Sequence, residues 1–270
     1  MQNKPISVDK RSGKLRWLKV GYFILIHLIV ILAIISPPSI ERVKHVFSNT
    51  PTAYSSYKGQ VIAHVIQDAS MPKGCIVFIG DSITSKLDLR TVVDTFTVNY
   101  SISSDSTVGA LWRIPQYQNL NSAGAIVLAI GVNDLTYIND DNLISNYGEI
   151  LDLLPHSVPV IISGILPLNE DIVKQSNLTY VTGYKATNAR IKVVNNRIRD
   201  LCKRYTDVSF IDATETLIDE KGNLRKENTL DGIHLNPLGY KVWAAFLRSQ
   251  LSRILEHKQE SSNEMNIGTD

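Results

Sequence analysis

Short apolar runs rich in Val and Ile recur along this chain, separated by longer stretches in which apolar residues return every three or four positions. The runs are Cys75–Ile79, Phe96–Val98, Ala125–Ile130, Val160–Ile165 and Val208–Ile211. They are almost unbroken in apolar residues, a pattern a strand needs only when both of its faces are covered. Helical period occupies the intervals. It runs over Thr107–Tyr117, then Asn142–Leu154 with Leu143, Tyr147, Ile150 and Leu151, then Asn188–Tyr205 with Ile191, Val194, Ile198 and Leu201. A last stretch, Pro237–His257, begins with proline in its first turn, where a missing N–H costs nothing. Strand alternating with helix, joined by right-handed crossovers, predicts an α/β fold: a three-layer sandwich around a five-stranded parallel sheet. The pattern fills residues 71–257 without an internal repeat. Residues 57–69 are expected to form a lead-in helix with Val61, Val65 and Ile66 on one face. Residues 166–187 are long for a strand-to-helix connection and are expected to overhang the site. The polar residues 258–270 read as a flexible tail.

A different segment precedes this body. From Val20 to Ile35 every residue is apolar except Gly21, Tyr22 and His27, and Pro37-Pro38 stops any helix there. Residues 17–36 are therefore expected to form a transmembrane signal-anchor helix, since about 19 residues at roughly 1.5 Å each cross one hydrocarbon core. Charge sets its direction. Residues 1–19 carry six cations and one anion, so the total of +2 leaves −3 for residues 20–270. A basic head at residues 1–16 is expected in the cytoplasm, and the body in the periplasm or outside the cell, as a single-pass membrane protein. The competing readings are a cleaved signal peptide, for which the run is long and lacks a small-x-small site, and a buried soluble helix. Residues 37–70 then hold a Ser, Thr and Pro-rich spacer and the lead-in helix. A slightly acidic body gives no reason to expect nucleic-acid binding. With 44% hydrophobic and 20% charged residues, a disordered chain or a collagen-like repeat is excluded. Cys75 and Cys202 read as small buried apolar residues, although a bridge is permitted outside the cytoplasm.

The chemistry lies where the predicted strands end, since open parallel sheets place their sites at the carboxyl edge. Gly80-Asp81-Ser82-Ile83-Thr84 follows the first strand and Ser101-Ile102-Ser103-Ser104-Asp105 the second. Gly131-Val132-Asn133-Asp134 follows the third, and Asp231-Gly232-Ile233-His234 precedes the final helix. A serine, an amide, an acid and a histidine thus converge on one edge, which are the parts of acyl transfer by a serine nucleophile. Ser82 would attack an ester carbonyl. His234 would be its base, since imidazole titrates near neutrality. Asp231, three residues before it, can reach the other ring nitrogen and hold one tautomer. The oxyanion needs fixed donors, and the candidates are the N–H groups of Ser82 and Ser104 and the side-chain amide of Asn133.

These blocks resemble the SGNH/GDSL hydrolases. The first block is matched by Gly80-Asp81-Ser82-Ile83-Thr84, the third by Gly131-Val132-Asn133-Asp134 and the fifth by Asp231-Gly232-Ile233-His234, over about residues 71–256. Ser104-Asp105-Ser106-Thr107 followed by Leu111-Trp112-Arg113-Ile114 is similar to the branch of platelet-activating-factor acetylhydrolase subunits. The resemblance implies a flavodoxin-like sheet and hydrolysis of an ester or thioester without metal or cofactor. Gly80 and Asp81 would shape the nucleophile turn, with Thr84, Gly131 and Asp134 in support. One position departs: Ser104 stands where the family has the glycine whose N–H helps form the oxyanion hole. A Cβ there opposes a left-handed backbone and crowds the acyl group, so a weakened hole or a small acyl group such as acetyl is expected.

The leading expectation is a membrane-anchored esterase that removes acetyl or another short acyl group. Its partners would be the membrane, through residues 17–36, and a small-molecule or polymer ester, an O-acetylated glycan or a lysolipid. An acyltransferase on the same fold and a catalytically inactive glycan- or lipid-binding module are the alternatives. No His-Glu-x-x-His helix, Walker loop, dinucleotide glycine fingerprint or Gly-x-Ser-x-Gly elbow is present. His45, His64, His156 and His257 read as surface or core residues. Asn99-Tyr100-Ser101 and Asn177-Leu178-Thr179 fit the glycosylation sequon.

Overall fold

Each of the five apolar runs becomes a strand. The computed structural model describes residues 54–176 and 186–267. In chain order these form α1 (Tyr54–Asp68), β1 (Ile76–Gly80), α2 (Ser82–Ser85), β2 (Thr97–Asn99), α3 (Thr107–Arg113), β3 (Ala125–Ala129) and α4 (Asp134–Tyr137). There follow α5 (Asp140–Leu153), β4 (Val160–Ser163), α6 (Glu170–Gln175), α7 (Asn188–Cys202), β5 (Val208–Ile211), α8 (Thr214–Leu217) and α9 (Pro237–Ile267). The strands make one parallel sheet in the order β2-β1-β3-β4-β5. Every residue of β1, β3 and β4 is buried, while the edge strands β2 and β5 are half-buried. Burial on both faces explains why the central runs have no polar alternation, and each Ile, Val or Leu so buried contributes about 1.5–3 kcal/mol.

Helices supply the two covers. α3, α5 and α7 pack side by side, and α9 packs with α8 and the turns at Leu89–Thr91 and Lys226–Asn228. α3, α5 and α7 each begin at a side-chain cap that accepts an otherwise orphaned N–H. Ser106 serves Gly109, Asn139 serves Asn142, and Thr187 serves Arg190. The strand order reverses at β1, which lies between β2 and β3, and open parallel sheets place their sites beyond the carboxyl ends of the strands at such a point. The register pairs Gly80 with Ala129. Ser82 and Gly131, each two residues further on, therefore leave the sheet at the same level.

Several boundaries differ from expectation for local reasons. The helix read over Thr107–Tyr117 keeps α geometry only to Arg113, and a 3-10 turn at Ile114–Gln116 follows. Pro115 has no N–H to return to the turn before it. The strand read to Ile165 stops at Ser163, because Asn195 takes both backbone groups of Ile165, at 2.9 Å each. α1 starts at Tyr54, and Ile66, grouped with Val61 and Val65, is 68% exposed. α9 continues to Ile267, past the His257 at which the helical pattern was expected to give way to a tail. Cys75 and Cys202 are both buried and unbridged. The anchor expected at residues 17–36, with the head and most of the spacer, lies outside the described residues. Among the described residues no helix is long and apolar enough to cross a membrane.

Candidate active site

The nucleophile turn is built by β1 running out of space. A Cβ on Gly80 would overlap Ala129 O and the Thr84 side chain, so only glycine lets the chain turn this close to β3. Asp81 follows as the cap of α2, its Oδ1 accepting the Ile83 N–H at 2.9 Å. Its carboxyl is fully buried, and burial pushes its pKa up to about 7 against the opposing pull of that N–H. Ser82 is thus the first residue of a helix, where backbone N–H groups have no partner within the helix. Two bonds fasten the turn: Thr84 Oγ1 donates to Ala129 O at 3.1 Å, and Tyr240 Oη of α9 donates to Ile83 O at 2.8 Å.

The second part comes from a tight hairpin 152 residues further along the chain. Thr229 bridges Leu235, Leu230 N donates to His234 O at 3.0 Å, and Thr229 Oγ1 donates to the same oxygen at 2.8 Å. Asp231 closes the loop from inside, its Oδ1 accepting the N–H groups of Ile233 at 3.0 Å and His234 at 2.8 Å. Its Oδ2 lies 2.7 Å from His234 Nδ1, and His234 Nε2 lies 3.0 Å from Ser82 Oγ. Burial acts against the Asp231 charge. The His234 side chain and the two backbone N–H groups outweigh it and hold Asp231 well below the usual carboxylate range. An ionised Asp231 can only accept, so the Nδ1 proton belongs between it and His234, and Nε2 turns a lone pair to the serine.

The third part comes from the ends of β2 and β3. Ser104 is exposed and adopts φ +65°, the left-handed region expected to be closed to it. The serine thus holds a turn that glycine would make freely, at a backbone cost of order 1 kcal/mol. The next residue, Asp105, is fully buried. Its backbone oxygen accepts from Asn133 Nδ2 at 2.8 Å, which fixes the Asn133 amide. Gly131 leaves β3 with a φ of +120°. Asp134 turns inward, accepting the Thr107 N–H at 3.0 Å and its hydroxyl, while Asn146 Nδ2 donates to that hydroxyl at 2.8 Å. Burial pushes the Asp134 pKa up to about 7 against the Thr107 bonds. Among the described residues no group of His, Cys, Asp and Glu is placed to hold a metal ion.

The arrangement has the parts for acyl transfer by a serine nucleophile. The model of the GDSL-like lipase/acylhydrolase family matches residues 78–242, well over half of the chain. The chain belongs to that family. This GDSL hydrolase is a carboxylic ester hydrolase with an α/β fold. It is 25% identical to a Streptococcus pneumonia protein provisionally named a platelet activating factor. That likeness covers 72% of this chain and 92% of the other, with a TM-score of 0.65. A GDSL-like lipase from Bacteroides thetaiotaomicron is 21% identical over 72% of this chain and 97% of its own, with a TM-score of 0.59. An acetyl xylan esterase is 20% identical over 65% and 98%, with a TM-score of 0.52. The last two likenesses speak for the fold. Comparison with curated proteins gave no match.

Of the residues read as site residues, Ser82, His234 and Asp231 of the GDSL hydrolase thus meet in one hydrogen-bond chain. Other contributors went unread. Thr107, quoted in a motif without a role, and Asn146 hold Asp134, and Tyr240 holds the helix that starts at Ser82; no motif marks Asn146 or Tyr240. Arg113 stood in a quoted motif but without a role. It lies wholly buried, pairing Asp105 at 2.8 Å. The segment after β4 does reach the site: Asn169 N donates to Gly232 O at 2.8 Å, and Val173 of α6 packs beneath Gly232. Residues 177–185 of that segment lie outside the described residues, with the Asn177 sequon. The other sequon asparagine, Asn99, spends its amide on Thr84 O at 3.1 Å.

Proposed function

We propose that this protein is a serine ester hydrolase that removes acetyl or another short acyl group from an envelope carbohydrate or lipid. The observation that carries the reading is the unbroken hydrogen-bond chain from Ser82 Oγ through His234 to Asp231, at 3.0 and 2.7 Å. Ser82 Oγ attacks the ester carbonyl carbon while His234 Nε2 takes its proton. The carbonyl oxygen becomes an oxyanion facing the N–H groups of Ser82 and Ser104 and the side-chain amide of Asn133, donors worth about 3 kcal/mol apiece in such sites. His234 then returns the proton to the departing alcohol. A water repeats the cycle on the acyl-serine and releases the acid. Asp231 stabilises the imidazolium and stays ionised throughout.

A short acyl group fits the Ser104 side chain, which stands at the oxyanion donor where the family's glycine leaves open space. The run Ser104-Asp105-Ser106-Thr107 with Leu111-Trp112-Arg113-Ile114, and the 25% identity to the pneumococcal protein, support a place in the platelet-activating-factor acetylhydrolase-like branch. The apolar run after a basic head supports a cytoplasmic N-terminus, an anchor at residues 17–36 and a hydrolase domain in the periplasm or outside the cell. Turnover of p-nitrophenyl esters of increasing chain length, beside a Ser82→Ala control, tests the chemistry. Activity that falls from acetate to octanoate supports the reading. No turnover above the control and no labelling by a serine-directed organophosphonate defeats it. Retention in the membrane fraction after a carbonate wash tests the anchor, and release of the full-length chain counts against it.

A further inference from the structure

The oxyanion loop is braced from behind, and one of its braces lies outside the segment that the family shares. Asp105 sits between the two oxyanion donors, Ser104 N–H and the amide that Asp105 O fixes. Its carboxylate is gripped from three sides: Arg113 Nε at 2.8 Å, the Ser106 N–H at 2.9 Å and Tyr57 Oη at 3.1 Å. The Arg113 guanidinium also donates to Tyr100 O at 2.6 Å and to Gly80 O at 3.4 Å, joining the loop to the ends of β2 and β1. Tyr57 comes from α1, ahead of the matched residues 78–242. Its partner Asp105 is 48 residues further along.

The contact is built in. α1 is seated at both ends: Tyr57 and Val61 pack with Ile102, and the buried Asp68 accepts the N–H groups of Gln118 at 2.7 Å and Asn119 at 3.0 Å. A Cβ on Gly109 would overlap Asp105 Oδ1 and press on Tyr57 Oη, so the glycine leaves the space in which the two meet. The brace has a load to carry, because Ser104 holds a left-handed backbone that glycine would hold freely.

We infer that α1 belongs to the hydrolytic apparatus, with Tyr57 a positioning residue that offsets the cost of serine at position 104 by holding Asp105 and so both oxyanion donors. The inference rests on the hydrolase reading above. It explains how the chain keeps a serine at this turn without losing the turn.

The test is a double-mutant cycle in the full chain, with Tyr57→Phe and Ser104→Gly singly and together, assayed with p-nitrophenyl acetate. Tyr57→Phe keeps the ring and its packing and removes only the hydroxyl. In the wild-type background it should lower kcat by about tenfold with KM within about twofold, a fraction of what losing a whole oxyanion donor costs. In the Ser104→Gly background the same change should cost less than about twofold, because a relaxed turn needs no brace. Thermal melting of all four proteins, followed by circular dichroism, sets an assay temperature at which each is folded. An equal loss in both backgrounds, or no loss in the wild type, overturns the inference. A wild type that neither turns over the ester nor reacts with an organophosphonate would instead defeat the hydrolase reading.

Discussion

Asp231 holds His234 at two points, Oδ1 on its backbone N–H at 2.8 Å and Oδ2 against its ring Nδ1 at 2.7 Å. The ring is therefore fixed relative to its own main chain. In Asp231→Asn, the amide oxygen keeps the backbone bonds only by turning its NH2 toward Nδ1. That forces the ring proton onto Nε2, where it points at Ser82 and the base is lost. The expected outcome is a fall in kcat of about 10³–10⁴-fold with the melting temperature little changed. Steady-state kinetics beside calorimetry checks it, and a loss under tenfold would count against the tautomer argument.

Ser104→Gly relaxes the one left-handed non-glycine residue among those described, at φ +65°. Relief of that backbone is partly offset by the extra freedom glycine has when unfolded, for a net gain of at most about 1 kcal/mol. The variant also opens space at the oxyanion donor. Its kcat/KM for a six-carbon acyl ester relative to acetate should rise severalfold, and an unchanged ratio would show that acyl length is set elsewhere.

Asp81 makes stability depend on pH. An unfolded aspartate releases its proton near about 3.9, whereas the folded one holds it to about 7. Between those values the folded state carries the extra proton. This group's contribution is therefore whole below about pH 4, declines as pH rises and is gone above about 7. Asp81→Asn has no proton to lose and keeps the oxygen that caps Ile83. Its stability relative to wild type should rise between pH 4.5 and 8, on the order of 1–3 kcal/mol. Urea titrations at the two pH values measure this, and a constant difference would contradict it.

Arg113 and Asp105 have fully buried side chains. Arg113→Ala strands the Asp105 charge away from water and should destabilise by about 3–5 kcal/mol. Arg113→Met with Asp105→Leu removes both charges and should recover part of that. The recovery is incomplete, since Ser106 N–H and Tyr57 Oη lose their acceptor. Chemical denaturation of the three proteins separates these outcomes.

What could be read in the sequence was whatever depends on neighbours along the chain. The strand runs are legible because a strand covered on both faces leaves no room for polar alternation, and the motif blocks because each sits on one short turn. Boundaries were misjudged where a distant side chain intervened, as Asn195 does at Ile165. The departure at Ser104 was visible, but its resolution was not. The residues that hold the loop behind it, Tyr57 and Arg113, meet Asp105 only after α1 and α3 have packed. The outward Ile66 likewise shows that an apolar residue near the right period can still miss the core.

The bond from Asn169 N to Gly232 O joins main chain to main chain. Neither partner's side chain makes it, yet a Cβ on Gly232 would press on Asn169 O and Val173, so substitution there disturbs it, as does a change in the length or path of the strand-to-helix segment. Because the acceptor lies between Asp231 and His234, the strand-to-helix segment and the turn that carries His234 form one mechanical piece. Anyone exchanging this segment to alter which esters the enzyme accepts must carry that single N–H across, or the new specificity will arrive with a displaced histidine.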